Sequence, residues 1–508
     1  MTTDPAASLR QSFYLLVGTA AVAIGFGKLV GAENVFEPSR YRPPTPASYG
    51  ADRDPGLVPR RTWPVERPEP TPMFGSNDRS RWATVKALVE DGTYSVGHRT
   101  NFQSQTDYAD TGIIFRPDYE SLDKVMRPDT GKFYSSKPPL LPTLVAGGYY
   151  ALHHWLGWTL DRDRWPVVVI LLTLVNIVPF AVALGLLAKL IEAHGRTDFG
   201  RLFAFTVAAV GTCVTPFLTT FTNHVPAACC VVCAVYPLVR RNSNGSTGEA
   251  LVSGLFAGLA AAVDLPAMAL VGGLFVPLAV TRPREAVLGF LPGALVPIGA
   301  LLYCNYTAIG QLEPAYSEFG GGQWYEHAGS YWKQIKATAD PTGRGLDFAN
   351  EPKDVYAFHL SFGHHGWFSL TPVWLLGVVG LAIQAARCGP DFGRAWASRR
   401  QTTGPVWTVP LLGVLAIVVS AVVFGFYVWR SSNYGGSTCC ARWLLWLTPL
   451  WVIGLLPAAD WAGRSAPGRV LAALLLGVST VSAFYPASNP WRNPWLMQLG
   501  EQLGYFRY

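Results

Sequence analysis

A lysine followed by two prolines stands where a long polar stretch gives way to an apolar one. Residues 134–142 read YSSKPPLLP, with Lys137 directly before Pro138 and Pro139. Proline suits the first turn of a helix, where backbone N–H groups have no intrahelical partner. The positive end of the helix dipole then lies beside the lysine, and such a corner attracts anions. The alternative is a basic residue that flanks a membrane helix at the level of the lipid headgroups.

An acidic residue opens a second candidate site. Residues 77–82 read NDRSRW, and either Asn77 or Ser76 can cap a helix that ends near Gly92. Its apolar residues fall on one face, which predicts a short amphipathic helix on the membrane surface: Trp82, Val85, Leu88 and Val89. Asp78 lies in the first turn, where the helix dipole favours a carboxylate. Asp78 is therefore either a capping acid stabilised by Arg81 or a carboxylate that acts on a substrate.

The composition is that of a polytopic membrane protein. Of the 508 residues, 50% are hydrophobic and 14% are charged, and the mean hydropathy is +0.22. Soluble globular chains carry far more charge. The net charge of +7 comes largely from arginines in short loops, which favours membrane orientation by the positive-inside rule over nucleic-acid binding.

Apolar runs predict an all-α bundle of about eleven transmembrane helices. The first spans Ser12 to Gly31, and ten more follow: residues 166–191, 202–220, 225–239, 250–263, 266–280, 286–303, 366–385, 406–428, 443–459 and 469–485. The apolar segment 140–158 decides the orientation of everything after it. If it stays on the outer surface, the arginines of every short loop lie inside, so we assign it as a surface or re-entrant helix.

This topology gathers the polar chemistry on the extracytoplasmic side of the plasma membrane. The chain is predicted to begin with a transmembrane helix (1–31) and a first extracytoplasmic loop with surface helices and the Lys-Pro-Pro corner (32–165). A central block of transmembrane helices (166–303), a second extracytoplasmic loop (304–365), a C-terminal block of transmembrane helices (366–485) and an extracytoplasmic tail (486–508) follow. Between Pro38 and Pro72 the first loop is rich in proline and is expected to be extended linker.

This arrangement resembles the GT-C glycosyltransferases, and within them the protein O-mannosyltransferase and lipid A aminoarabinose transferase group. The resemblance rests on an acid that opens a helix after the first span, the later Lys-Pro-Pro-Leu corner and the ladder of spans. It implies that Asp78 is the catalytic carboxylate and that Lys137 lies near the lipid phosphate of the donor. Many members have an Asp-Glu pair, whereas here Asp78 is followed by Arg79.

The resemblance extends to residues further along the chain. Asn223 or His224 is the counterpart of a polar or acidic residue at the outer end of a later span. The segments 364–372 and 433–445, read HHGWFSLTP and NYGGSTCCARWLL, also look like stretches of bacterial GT-C proteins. Within them, Arg442 is predicted to bind the donor phosphate, and His364 and His365 are predicted to line the acceptor site.

The reaction that the resemblance implies is also physically reasonable. A polyprenyl-phosphate sugar is soluble in the membrane, and its transfer with inversion requires a base for the acceptor proton and cations for the departing phosphate. Asp78 is the predicted base. Lys137, Arg79, Arg81 and Arg442 are the predicted phosphate ligands, because guanidinium binds phosphate bidentately and lysine binds it as a point charge. The acceptor is left open as a glycan, lipid or protein of the bacterial cell envelope.

The histidines of the second outer loop are the remaining candidates for metal binding. His327, His359, His364 and His365 share that loop with several acids, but their spacing matches no metal motif. We therefore expect solvated or hydrogen-bonded histidines and assign no definite cofactor, while a divalent metal is left open. Asp264 is predicted to lie at a hairpin tip, although an acid within a membrane is functional by default.

Two other classes of function compete with a transferase. A secondary transporter would use broken helices and an acid such as Asp264 to bind a coupling ion near the midplane. It predicts polar residues in the middle of spans and an internal repeat, and neither is clear in this sequence. A catalytically inactive GT-C-fold protein that only binds lipid is the second alternative, and the missing Glu after Asp78 keeps it open.

Overall fold

The computed structural model describes most of the chain. The described residues are 5–32, 41–42, 61–62, 71–240, 243, 245–319, 322–333, 351–397, 407–431, 433–487 and 489–505. Of the predicted linker between Pro38 and Pro72, only Tyr41–Arg42, Arg61–Thr62 and the last two residues fall within these ranges, and the two dipeptides pair as short parallel strands, β1 and β2. The rest of that prediction lies outside the described residues.

Helices make up most of the described chain. In the first half they are α1 to α11: Pro5–Val30, Ser76–Glu90, Leu140–Leu156, Arg164–Leu172, Val178–His194, Asp198–Val210, His224–Val239, Thr247–Val263, Met268–Thr281, Pro283–Glu285 and Leu291–Ile309. In the second half they are α12 to α18: Lys353–Ser361, Trp367–Leu370, Trp374–Ala397, Val409–Arg430, Thr448–Ala462, Ala466–Phe484 and Trp495–Gln502. Single π-helical turns at Thr173–Ile177 and Ala286–Phe290 join α4 to α5 and α10 to α11.

Seven helical segments within the described residues are long and apolar enough to cross a membrane: Pro5–Val30, Arg164–His194, Asp198–Thr219, Pro283–Ile309, Val409–Arg430, Arg442–Ala462 and Ala466–Phe484. Four shorter apolar helices accompany them: His224–Val239, Thr247–Val263, Leu265–Thr281 and Trp374–Gly389. The chain is thus a multi-pass membrane protein. Each predicted span overlaps one of these segments, while the count of eleven spans stays a prediction.

Small residues bring two of the membrane helices into close contact. A Cβ added to Gly258 of α8 would lie 2.5 Å from the Ala294 carbonyl oxygen of α11. A Cβ added to Gly293 of α11 would lie 2.3 Å from the Leu251 carbonyl oxygen of α8. Small residues let backbones approach where van der Waals packing must hold the bundle together, so α8 and α11 form a tight pair.

The first outer loop contains a sheet that the all-α prediction missed. Its four antiparallel strands are β3 to β6, in the order β4-β3-β6-β5: Gly97–Thr100, Ala109–Thr111, Lys124–Met126 and Lys132–Ser135. The strands have only three or four residues each, too few for a clear alternating pattern in the sequence. The β5–β6 pairing aligns Lys124 with Ser135. This register places the residue before β5 next to the residues after β6.

Helix α2 differs from the predicted amphipathic surface helix. It begins after Gly75, which takes the N-cap position in place of Asn77 or Ser76. All residues from Asn77 to Ala87 are buried, polar ones included. The sequence pattern misled because the polar face of α2 is covered by other parts of the protein instead of by water. On its apolar side, Trp82 packs against Phe221 with 4.7 Å between ring centroids.

Candidate functional site

Asp78 is held at the start of α2 with one carboxylate oxygen bound and the other available. Its side chain is fully buried. Oδ2 accepts hydrogen bonds from the Trp491 indole N–H at 2.8 Å and from the Gly75 backbone N–H at 3.3 Å. Oδ1 has no hydrogen-bond partner among the described residues. Such an arrangement fixes the orientation of a carboxylate and leaves one oxygen for a further group.

The surroundings set the proton affinity of this carboxylate. Burial raises the pKa of Asp78 to about 6, against the opposing effects of the Trp491 and Gly75 hydrogen bonds and of the nearby Arg81 and Arg79. Burial disfavours the charged form of an acid, while donors and cations favour it. A group with this pKa is mostly ionised at neutral pH and binds a proton readily, as a general base requires.

Two arginines of α2, Arg79 and Arg81, lie near Asp78. Arg81 donates to the Asn77 side chain and, at 3.0 Å, to Oδ1 of Asn223. Burial lowers the pKa of Arg81 to about 10, partly offset by Asp78 and other nearby acids, so it stays a cation at neutral pH. Arg79 donates from Nε to the Met73 carbonyl oxygen at 3.3 Å. Asn223 therefore belongs to this cluster.

Lys137 lies in the same cluster and is paired with an acid. Its ammonium is 2.7 Å from Oδ1 of Asp123, and four-fifths of the lysine side chain is buried. The β5–β6 register explains the pair, because Asp123 precedes β5 and Lys137 follows β6 by two residues. Ser80 of α2 donates to the Asp123 carbonyl oxygen at 2.5 Å, which ties this end of the sheet to the helix.

The surroundings of this pair shift the pKa values of both Lys137 and Asp123. Burial lowers the pKa of Lys137, while the neighbouring Asp123 opposes this effect. Burial alone would raise the pKa of Asp123, but the Lys137 ammonium together with Arg442 and Arg81 outweighs this effect and holds the pKa of Asp123 below its usual range. Asp123 thus keeps a buried cation charged.

Aromatic rings connect Asp78 to the membrane helices. The Arg442 guanidinium lies over the Trp491 ring, 4.8 Å from its centroid. Trp491 meets Phe217 edge to face at 5.9 Å, and Phe217 meets His224 edge to face at the same distance. The predicted site residues Arg442 and His224 are thereby joined to Asp78 through Trp491 and Phe217.

His224 has an acidic partner of its own. Its Nδ1 is 3.0 Å from Oδ2 of Asp264, and both side chains are buried. Asp264 does lie between α8 and α9, at the predicted hairpin tip. The pairing with His224 makes it part of the inner boundary of the cluster instead of a solvated tip.

A cleft opens beside Lys137. It is small and partly open to solvent, and both polar and apolar residues line it. Lys137, Ser135 and Asn305 contribute polar groups, and Ala308 and Ile309 of α11 contribute apolar surface. A site that joins a buried cation to the end of a membrane helix suits a ligand with an anionic head and an apolar tail.

His364 and His365 do not stand as exposed groups around an open acceptor site. Both are buried, and their Nδ1 atoms are 2.5 Å apart. His364 stacks on His359 at 4.1 Å, and His365 stacks on Tyr434 at 5.1 Å. Of the two expected states, solvated or hydrogen-bonded, His364 and His365 adopt the hydrogen-bonded one, because the outer loop and the segment after α15 pack together here. Burial lowers the pKa of His365 to about 3.

Three residues of the cluster were not assigned from the sequence. Asp123 stands in no recognisable motif, and Trp491 lies 413 residues from Asp78. Asp264 was considered as a hairpin acid or as the ion ligand of a transporter, not as a member of this cluster. The one signal available for Asp123 was its position before the lysine corner in the same polar loop. No pattern in the chain indicates the Trp491–Asp78 hydrogen bond, since tertiary packing alone brings these residues together.

Comparisons with known proteins give matches only at the level of structure. No protein family and no curated protein matches the chain. The Archaeoglobus fulgidus oligosaccharyltransferase in its apo form aligns at 12% identity and TM-score 0.47, covering 97% of this chain and 57% of that chain. The same enzyme with zinc and sulfate gives 12% identity and TM-score 0.40, covering 83% and 54%.

A further match is the archaeal oligosaccharyltransferase AglB from Archaeoglobus fulgidus in complex with an inhibitory peptide and a dolichol-phosphate. It aligns at 12% identity and TM-score 0.47, covering 95% of this chain and 56% of that chain. The chain thus spans little more than half the length of the matched enzyme. At these TM-scores the alignment adds no weight to a functional assignment, which depends on the site itself.

Proposed function

We propose that this protein is an integral membrane glycosyltransferase that transfers a sugar from a polyprenyl-phosphate donor, with inversion, to an acceptor on the extracytoplasmic side. The observation that carries the proposal is Asp78: a buried carboxylate with one oxygen held by Trp491 and Gly75 and the other without a partner among the described residues. Buried cations surround it. A base beside cations is what transfer from a sugar phosphate requires.

In the proposed reaction, the acceptor hydroxyl gives its proton to Oδ1 of Asp78 as its oxygen attacks the anomeric carbon. The bond between that carbon and the phosphate oxygen breaks, and the lipid phosphate leaves with the electron pair. Attack on the face opposite the phosphate inverts the anomeric centre. Arg81, Arg442 and Lys137 lie where they can stabilise the developing phosphate charge, bidentately for the arginines and as a point charge for the lysine.

The charge balance supports a phosphate ligand over a metal ion at this site. Asp123 is paired with Lys137, and Asp264 with His224. Among these acids in the described part of the chain, only Asp78 has a fully buried oxygen that lacks a hydrogen-bond partner, and arginines surround it. Divalent cations bound by oxygen need several carboxylates or carbonyls. The residues around Asp78 do not fit that requirement, and the reaction is written with protein cations alone.

The cleft beside Lys137 is the proposed entry for the donor. Its apolar wall belongs to the end of α11, one of the segments long enough to cross a membrane. A lipid tail would lie along that helix while its phosphate reaches Lys137. In the predicted topology of eleven spans, the loop 32–165 lies outside and the arginine-rich short loops lie inside. The proposed entry would then lie on the extracytoplasmic face.

Kinetics with a labelled polyprenyl-phosphate sugar test the donor site. Lys137→Gln should raise KM for the donor about tenfold or more, because one charge-assisted contact to the phosphate is lost. Lys132→Gln is the matched control: Lys132 is exposed on β6, five residues away. It should leave KM unchanged. Equal KM values for all three proteins would contradict a role for Lys137 in donor binding, and no transfer from any polyprenyl-phosphate sugar would contradict the proposed function.

A further inference from the structure

A second group of chemically active side chains lies away from Asp78, where the outer loop meets the chain after α15. Glu351, His359 and His364 bring one ligand atom each to within 4.8 Å of the others. His364 is buried, and the other two are partly buried. These residues come from the start and end of α12, which spans Lys353–Ser361, and from the turn that follows it.

The backbone is shaped to bring the two histidines together. His359 and His364 are stacked with ring centroids 4.1 Å apart. Gly363 makes room for this arrangement, since a Cβ at that position would lie 2.3 Å from Nδ1 of His359. Any larger residue there would push the ring away, so the turn after α12 depends on glycine.

Neighbouring residues orient the three side chains. Tyr434 donates its hydroxyl to Oε2 of Glu351 and lies edge to face with His364 at 4.9 Å. His365 contacts His364 through their Nδ1 atoms at 2.5 Å. In metal sites, ligating histidines and carboxylates are commonly held by such outer hydrogen bonds, which fix ring orientation.

We propose that Glu351, His359 and His364 bind one divalent transition metal ion, with Zn²⁺ as the preferred ion. Two imidazoles and one carboxylate are a ligand set that zinc uses, with a fourth position for water. Ions that prefer oxygen ligands, such as Ca²⁺ and Mg²⁺, do not favour it. Tetrahedral zinc ligands lie about 3.4 Å apart. Rotation of the partly exposed Glu351 and His359 side chains would bring the three ligand atoms, now within 4.8 Å of one another, to that separation.

The ion acts as a clamp between two parts of the chain. Lys353 donates to the Ser431 carbonyl oxygen at 3.0 Å, and Tyr356 donates to the Asn433 carbonyl oxygen at 2.7 Å. These bonds and the Tyr434–Glu351 contact fasten α12 to residues 431–434. Gly435, next in the chain, lies against the Arg442 side chain. The metal site thus supports the segment that carries Arg442.

Metal binding is tested on the full chain purified in detergent. After treatment with a chelator, the protein is dialysed against Zn²⁺, its zinc content is measured, and affinity is obtained by competition with a chromophoric chelator. Wild type should bind one tight Zn²⁺ per chain and unfold at a higher temperature with zinc. His359→Ala and His364→Ala should lower the affinity at least tenfold and remove the thermal shift.

The exposed His98 and His154 provide matched controls, and His98→Ala and His154→Ala should bind zinc as wild type does. Glu351→Gln serves as a second ligand variant if a histidine variant fails gel filtration, since Glu351 is only partly buried. Its affinity should also fall at least tenfold. Wild type without a tight zinc, or ligand variants that match the controls, would overturn the proposal. The outcome is independent of glycosyl transfer, because no activity is measured.

Discussion

Asp78 shows how a buried carboxylate reduces protein stability. It is fully buried, and burial raises its pKa from 3.8 to about 6. An acid whose pKa is higher in the folded state than in the unfolded state favours folding at low pH and opposes it once the pH exceeds the folded value. A shift of two units corresponds to about 3 kcal/mol. Protein stability is therefore reduced by the charge that the proposed reaction uses.

Replacing this residue should stabilise the protein at neutral pH. Asp78→Asn keeps the shape of the side chain but removes the buried charge, so its free energy of unfolding should exceed that of wild type by up to about 3 kcal/mol above pH 6. The difference should shrink as the pH falls from 6 to 4, where wild-type Asp78 becomes protonated. Thermal unfolding in detergent across this pH range measures the effect.

Asp107→Asn is the control for this comparison. Asp107 is an exposed acid of the same outer loop, and its replacement should change the free energy of unfolding by less than about 0.5 kcal/mol at every pH. A lower stability of Asp78→Asn than of wild type at pH 7.5 would show that Asp78 is a stabilising cap, as the simpler interpretation of the sequence holds.

At the scale of elements, the start of α2 and the C-terminal segment form one unit. The Trp491 indole lies over Gly75, where an added Cβ would be 3.1 Å from the ring. The same indole donates to Asp78 at 2.8 Å and supports the Arg442 guanidinium at 4.8 Å. Glycine at the N-cap thus permits a tertiary contact that orients both Asp78, the proposed base, and Arg442, a proposed phosphate ligand.

Gly75→Ala should disturb this unit. The added methyl group would lie 3.1 Å from ring carbons of Trp491, closer than an ordinary carbon–carbon contact. The indole must therefore move, and its hydrogen bond to Asp78 lengthens. We expect transfer to slow about tenfold at unchanged fold, because positioning errors of this kind reduce rates steeply. Gly147→Ala on α3, where an added Cβ meets nothing within 4 Å, should keep wild-type activity. Equal transfer rates for Gly75→Ala and Gly147→Ala would show that the position of the Trp491 ring does not affect catalysis.

Local sequence signals gave part of this site. The helix at Asp78 and the lysine corner before α3 both follow from residues within one or two turns of one another, where capping and proline rules apply. The sheet between them was missed because its strands are too short to show a pattern. Asp123 could not be assigned, because its partnership with Lys137 arises only from the β5–β6 register.

Contacts between distant parts of the chain were beyond these signals. Trp491 reaches Asp78 across 413 residues, and His364 meets Tyr434 through packing of two separate outer segments. Spacing along the chain argued against metal binding at His359 and His364, since no motif matched. Folding nevertheless brings Glu351 to them. Proximity in space without regular spacing in sequence is typical of sites built from loops.

At the scale of the whole molecule, the central prediction is the orientation of the chain in the membrane. The composition alone predicted a multi-pass membrane protein, and apolar helices of sufficient length confirm it. Which side each loop occupies depends on the arginine distribution and on α3 remaining at the outer surface. All eight cysteines among the described residues are buried or partly buried, so an added exposed cysteine reports its side with little background.

Labelling of intact cells with a membrane-impermeant maleimide tests this orientation. Gln103→Cys, in the exposed first outer loop, should be labelled without permeabilisation. Arg464→Cys, in the exposed turn between α16 and α17, should be labelled only after the membrane is opened. Labelling of both cysteines without permeabilisation would show that 140–158 spans the membrane. The opposite pattern would mean that the whole topology is inverted, and it would place the proposed site on the cytoplasmic side.

The most direct test of the account compares wild type, Asp78→Asn and Asp107→Asn in transfer from radiolabelled polyprenyl-phosphate sugars to a membrane extract. All three proteins are first matched by gel filtration. Loss of a general base typically reduces rates by about 10²- to 10⁴-fold, and we predict such a loss for Asp78→Asn alone. If Asp78→Asn transfers label as fast as wild type, Asp78 is only a buried acid in the first turn of α2, and the proposed mechanism is wrong.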